Sequence, residues 1–183
     1  MTYPPDVTKP IGTARPSKLL IGEFRRTLDE RYRLAIPDQF RQSLDLAGKC
    51  VLAKERSGCI SLWNPGVWET KTNMWLNMAT DKIQKGVHDR EIGQVQLLGR
   101  LLSTRHEQAA VTNRGRVLIP KGFRDFLGIE PGCGDNDTSP EKKGTIVMVV
   151  GAALCIEVWN PAAWLRYLQQ RMPKFRRLVE RLS

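Results

Sequence analysis

One stretch of this chain recurs, and the recurrence constrains the fold more than any other feature. Leu28-Asp29-Glu30-Arg31-Tyr32-Arg33-Leu34-Ala35-Ile36-Pro37, running on into Asp38-Gln39-Phe40-Arg41-Gln42-Ser43-Leu44, returns as Val111-Thr112-Asn113-Arg114-Gly115-Arg116-Val117-Leu118-Ile119-Pro120 and Lys121-Gly122-Phe123-Arg124-Asp125-Phe126-Leu127. Arg33, Ile36, Pro37, Phe40, Arg41 and Leu44 each reappear 83 positions later. A second segment, Cys59-Ile60-Ser61-Leu62-Trp63-Asn64-Pro65, returns as Cys155-Ile156-Glu157-Val158-Trp159-Asn160-Pro161 at an offset of 96, so the second copy carries a 13-residue insertion. A period this long describes two duplicated units, not a solenoid of short repeats.

Within each copy the residues alternate first at strand and then at helix spacing. Phe24, Arg26 and Leu28 share one face at period two, and Leu34 and Ile36 do so after a turn, which predicts a hairpin with one buried face. Pro37 ends the strand and suits the first turn of a helix carrying Phe40 and Leu44, which Gly48 terminates. Residues 50–53 and 60–63 flank Ser57-Gly58 as a second hairpin, and Asn64-Pro65 opens a helix with Trp68, Trp75, Leu76 and Ala79 as an apolar stripe. Gly86 breaks that helix, and Ile92, Val95, Leu98, Leu101 and Leu102 recur beyond it at helical spacing, giving a helical connector between the units. In the second copy a hairpin forms about Gly151-Ala152, and a helix carrying Trp164, Tyr167 and Leu168 follows Asn160-Pro161. Beyond Pro173, the residues Phe175, Leu178, Val179 and Leu182 form a short amphipathic end. Residues 130–144 hold the insertion and read as a surface loop, and the proline-rich residues 1–18 as a flexible tail.

These copies resemble the MraZ family, whose members carry two tandem SpoVT/AbrB-type DNA-binding units, each marked by an Asp-x-x-x-Arg hairpin and an Ile-Pro step into a helix. Gly22-Glu23-Phe24, Thr27-Leu28-Asp29 and Arg33-Leu34-Ala35-Ile36-Pro37 follow in the family's order. Two positions depart from it: Tyr32 stands where the family usually has Gly, and Thr112 occupies the second Asp position. The resemblance covers residues 20–165. It implies an α+β fold of two AbrB-like units, of the swapped-hairpin or double-split β-barrel type, related by pseudo-two-fold symmetry. The corresponding division is a tail at 1–18, a first unit at 19–68, a helical connector at 69–103, a second unit at 104–164 and a C-terminal helical segment at 165–183. It further implies a repressor that binds direct repeats in the promoter of the division and cell-wall operon as a ring-shaped homo-oligomer, cytoplasmic and nucleoid-associated.

Twenty-nine Lys and Arg against nineteen Asp and Glu give a formal charge of +10, which suits a polyanionic partner such as DNA. No run approaches the roughly 20 apolar residues of a spanning helix, and Met1-Thr2-Tyr3-Pro4-Pro5 lacks a signal pattern, so an intracellular protein with no membrane partner is expected. Cys50, Cys59, Cys133 and Cys155 include no C-x-x-C and read as buried reduced thiols. His88 and His106 lack metal-ligand spacing and read as surface histidines. With no G-x-S-x-G elbow, no Gly-rich phosphate loop and no Cys with a His partner, neither an enzyme nor a cofactor is expected.

A two-stranded ribbon fits the DNA major groove, where each base pair shows its own donor and acceptor pattern, and an Arg guanidinium pairs bidentately with guanine. Arg31 and Arg33 at the first turn, with Arg25 and Arg26 at its base, and Arg114 and Arg116 at the second, with Arg105 upstream, are the candidate DNA-binding residues. Asp29 would be repelled by phosphate, so its expected task is to accept backbone N–H groups in the turn or to hold Arg33. Thr112 can cap a turn but brings no charge to Arg116, and at Tyr32 a positive φ would cost about 1 to 2 kcal/mol. The paired tryptophans read as core or subunit-contact residues. The competing function is an oligomeric or partner-binding scaffold with only nonspecific DNA affinity.

Overall fold

The computed structural model describes residues 19–44, 46, 48–84, 89–129 and 144–182. The expectations for the tail at 1–18, Gly86, His88, Cys133 and the loop through residue 143 lie outside the described residues. The first copy forms β1 (Glu23–Thr27), β2 (Arg33–Ala35), α1 (Asp38–Leu44), β3 (Lys49–Arg56), β4 (Cys59–Trp63) and α2 (Pro65–Gln84). After α3 (Asp89–Thr104), the second forms β5 (His106–Ala110), β6 (Arg116–Leu118), α4 (Lys121–Leu127), β7 (Ile146–Gly151), β8 (Ile156–Trp159) and α5 (Pro161–Arg171). A 3-10 turn, Met172–Lys174, leads into α6 (Phe175–Leu182).

The fold is α+β with antiparallel strands, and its pairing crosses between the copies. Six strands run in the order β1-β7-β8-β4-β3-β5, and β2 pairs with β6 in a separate two-stranded ribbon. Exchanging each strand for its repeat counterpart returns the same order reversed. The anticipated β3–β4 and β7–β8 hairpins are present. The anticipated β1–β2 hairpin is not: β1 pairs with β7 from Glu23↔Val150 to Thr27↔Ile146, while β2 pairs with β6 from Arg33↔Leu118 to Ala35↔Arg116. The turn between them still closes locally, Tyr32 N–H donating to Asp29 O at 2.8 Å and Asp29 N–H to Arg33 O at 3.1 Å. Parting the strands lets each copy bury its apolar face against the other.

That shared burial is visible in the core, where repeat counterparts meet: Leu34 with Val117, Ile36 with Ile119, Phe40 with Phe123 and Leu44 with Leu127 belong to one buried cluster with Leu52, Ile60, Val149 and Val158. The segment before β1 joins the exchange, since Leu20 and Ala153 trade backbone hydrogen bonds at 2.9 and 3.0 Å. Its passage requires glycine at 151, where a Cβ would lie 2.6 Å from the Leu20 backbone.

The opposite face of the sheet is covered by α2 and α5, each opened by an Asn-Pro pair. Asn64 Oδ1 accepts from Gly66 N–H at 2.9 Å, and Asn160 Oδ1 from Ala162 N–H at 3.0 Å, so each side chain caps its helix while proline takes the first helical position. Trp63 and Trp68, and Trp159 with Trp164 and Tyr167, pack there at centroid distances of 4.9–5.8 Å. Trp63, Trp68, Trp159 and Trp164 thus pack within the chain, in line with the expectation of core or subunit-contact residues. Leu76 departs from the anticipated stripe and is exposed, as are Met74 and Met78 on the same helix. His106 is half-buried instead of lying on the surface: its ring packs 5.3 Å from Trp68 and its Nδ1 donates to Leu102 O at 2.6 Å. No helix among the described residues is long and apolar enough to cross a membrane.

Candidate nucleic-acid interface

Strand alternation decides which face of the β2–β6 ribbon meets solvent. Leu34 and Val117 point into the core, leaving Arg33 and Ala35 on one strand and Arg116 and Leu118 on the other facing out. The register sets Arg33 opposite Leu118 and Arg116 opposite Ala35, so the two arginines lie diagonally across one face. The turns carrying Arg31 and Arg114, both exposed, lie at opposite ends of this ribbon. The donors that were expected at the tips of two separate hairpins are thus strung along one ribbon to which both copies contribute.

Both turns use the same backbone plan with different residues. Tyr32 has φ 56° and its counterpart Gly115 has φ 68°, so the turn does demand the left-handed conformation at this position. The carbonyl of each then accepts a hydrogen bond from the other copy: Ile119 N–H donates to Tyr32 O at 3.0 Å, and Ile36 N–H to Gly115 O at 2.9 Å. At Gly115 a Cβ would lie 2.9 Å from Arg41 Nη1, so α1 of the first copy crowds the turn of the second. At Tyr32 the relation is inverted, with the Arg124 guanidinium of α4 stacked 3.7 Å from the ring centroid.

Asp29 performs both of its anticipated tasks. Its Oδ1 accepts from Arg31 N–H at 3.0 Å and Arg33 N–H at 2.9 Å, and its Oδ2 from Arg33 Nε at 2.8 Å. Partial desolvation acts to raise the Asp29 pKa, but the Arg33 and Arg31 N–H groups and the Arg33 guanidinium outweigh it and hold the carboxyl below its ordinary value. The second turn is capped as expected, Thr112 Oγ1 accepting from Arg116 N–H at 3.1 Å. Arg116 nonetheless has a charged neighbour: its Nη1 lies 3.6 Å from Asp29 Oδ2 of the first copy. The expectation that charge is absent around the second arginine is therefore corrected, because the carboxylate is supplied across the ribbon.

Of the remaining candidates, Arg25 is exposed and Arg26 half-buried on the edge strand β1, Arg26 lying 5.2 Å over the Phe24 ring. Arg105 is separate from the ribbon. It lies at the end of β5 away from Thr112, roughly 20 Å along the strand at 3.3 Å per residue, and its Nη2 donates to Glu55 O at 3.3 Å. Arg41 and Arg124 were not among the candidates, although their recurrence in the repeat was a signal. Arg41 donates to Asn113 O at 3.3 Å, its Nη2 lies 3.3 Å from Asp38, and the Nε of Arg124 is buried without a hydrogen-bond partner among the described residues. Glu30 in the first turn and Asp38 at the start of α1 are exposed, Asp38 beside Arg41, and temper the positive charge.

The three thiols among the described residues offer no competing chemistry. Cys50, Cys59 and Cys155 are buried and free, and desolvation pushes Cys50 and Cys155 up to about 12 and Cys59 upward as well, which keeps them protonated and unreactive at neutral pH. Among the described residues no group of three or more His, Cys, Asp or Glu could hold a metal ion.

Residues 19–85 and 107–182 match the family model described as "MraZ protein", antitoxin-like. The chain is similar to proteins named transcriptional regulator MraZ. It is 23% identical to that of Treponema denticola over 90% of this chain and 97% of the relative. With that of Roseiflexus castenholzii it shares 25% identity over 82% and 87%, and with that of Caldanaerobacter subterraneus 24% over 90% and 97%.

Proposed function

The chain belongs to the MraZ family, and from that premise we propose that it is a sequence-specific DNA-binding transcriptional regulator, a repressor that engages the major groove with its β2–β6 ribbon. The single observation that carries this reading is the outward pair Arg33 and Arg116 on one two-stranded ribbon, backed by a buried apolar face. Such a ribbon fits the major groove, and preorganised guanidinium groups read guanine there. Arg31 and Arg114 at its ends, Arg25 and Arg26 on β1, and Arg41 and Arg124 behind the turns hold phosphates and fix register. Residues 19–68 and 104–164 are the two DNA-binding units of this reading, in an AbrB-like swapped-hairpin arrangement with pseudo-two-fold symmetry, to which the crossed strand pairing gives support.

One ribbon is a small footprint, and linking several raises affinity through effective concentration alone. The proposed assembly is a ring of identical chains bound to direct repeats upstream of the division and cell-wall operon, in the cytoplasm at the nucleoid. Exposed Met74, Leu76 and Met78 on α2, Leu97 and Leu101 on α3, and Leu165 on α5 favour self-contact through the connector and the C-terminal segment. The same apolar faces favour the second reading, an oligomeric scaffold with only nonspecific DNA affinity.

Competition binding separates the two. The regulator prefers its own upstream direct repeats to scrambled DNA at moderate salt, whereas the scaffold binds both alike and loses both together as salt rises. Equal affinity for the two DNAs would refute the regulator.

A further inference from the structure

We propose that Asp29 is a positioning residue for the base-facing arginines of both repeats: it anchors Arg33 in its own turn and holds Arg116 across the ribbon, so that base reading by the second repeat depends on a carboxylate supplied by the first. This inference rests on the DNA-binding reading above. The geometry behind it is asymmetric where the fold is not. Two backbone N–H groups, from Arg31 and Arg33, fix Oδ1 at 3.0 and 2.9 Å, so the carboxylate cannot rotate away. Its other oxygen faces the ribbon, binds Arg33 Nε at 2.8 Å and lies 3.6 Å from Arg116 Nη1. Because Arg33 is held through Nε, its two terminal nitrogens remain the edge presented to a base.

Thr112 occupies the equivalent place in the second turn and reproduces only the backbone part of the task, with Arg116 N–H at 3.1 Å from its hydroxyl. A hydroxyl has no charge with which to hold a guanidinium. Arg33 is therefore fixed by a short ion pair within its own turn, and Arg116 by a longer one from the other repeat. Two consequences follow for DNA. Reading by Arg33 and Arg116 is coupled, and the half-site under the first repeat is specified more strictly than that under the second, which gives the bound DNA a direction despite the duplicated fold.

The test is selection from a duplex library randomised over the site, with preference for the selected over scrambled sequence then measured for each half. It uses the full chain as wild type, Asp29→Asn, Arg116→Ala, their double variant and Thr112→Asp. Arg116→Ala is expected to reduce preference at the second half about tenfold in the wild-type background. Its effect in Asp29→Asn should fall below about threefold, because the guanidinium it removes is no longer aimed. Asp29→Asn alone lowers preference at both halves, which a purely local turn role would not do. Thr112→Asp leaves Asp29 intact, gives Arg116 a carboxylate in its own turn, and should sharpen preference at the second half several-fold without changing the first. Equal effects of Arg116→Ala with and without Asp29 overturn the proposal. Should Asp29→Asn fail to fold, unchanged second-half preference in Thr112→Asp overturns it. A wild type that selects no sequence at all sinks the regulator reading itself, a distinct outcome.

Discussion

Replacing Tyr32 with glycine sets three energies against one another at one position. At φ 56° the Tyr32 backbone is in a conformation costing a residue with a Cβ about 1 to 2 kcal/mol, and glycine would relieve that cost. Glycine also adds unfolded-state entropy worth about 0.5 to 1 kcal/mol. The third contribution is the Arg124 guanidinium 3.7 Å from the Tyr32 ring centroid. Cation–π contacts contribute about 0.5 to 1 kcal/mol at exposed sites and about 2 when desolvated. Arg124 is half-buried with its Nε enclosed, which favours the upper part of that range.

The balance predicts that Tyr32→Gly is neutral to destabilising by about 1 kcal/mol in the wild type. In an Arg124→Ala background, where the stack is already gone, the same change should be neutral to stabilising by about 1 kcal/mol. The coupling between the two positions, about 1 kcal/mol, is read by a double-mutant cycle from urea unfolding at one fixed protein concentration, since self-association shifts the midpoint. Effects of Tyr32→Gly that agree within about 0.3 kcal/mol in the two backgrounds would refute the stacking argument. Stabilisation of the wild type by the full strain energy would refute it equally.

At the matching position Gly115→Ala should cost about 1 to 2 kcal/mol in the same assay, because φ is 68° there and Arg41 must also yield. Leu34→Ala should cost about 2 to 5 kcal/mol. Because Leu34 belongs to a core built by both copies, calorimetry should still record one transition, and separate unfolding of two halves would count against the crossed fold. The Asp29 carboxyl is depressed in the folded chain, so its contribution is fully present above the unfolded value near 3.9 and is lost as pH falls through the lower folded value. The stability difference between wild type and Asp29→Asn should thus hold steady from about pH 5 to 8 and shrink progressively below about pH 4; a difference that does not diminish at all as the pH falls below the unfolded value would contradict the assignment. Leu101→Glu, on an exposed apolar face of the connector, should lower the mass measured by light scattering if that face joins copies in the ring.

The sequence by itself determined the duplication, the kind of the main elements and most of the side chains that face inward, with Leu76 and His106 as exceptions. Local chemistry is enough for those: Pro37 and Pro120 end their strands, Phe40 and Leu44 share a helix face, and Asn64 and Asn160 cap helices that begin with proline. A positive φ at Tyr32 was raised by the resemblance, which places glycine there, and Gly115 adopts the same conformation in the other copy. Partners were not legible. Period-two alternation assigns a face to β1 and β2 but is silent on which strand lies alongside, and proximity in the chain suggested the wrong one. Only the tertiary structure decided that β1 takes β7 and β2 takes β6, an exchange that buries Leu34 and Val117 in one cluster drawn from both copies. The same exchange brings Arg124 onto Tyr32, Arg41 against Gly115 and Asp29 beside Arg116, contacts between residues dozens of positions apart that no local pattern encodes.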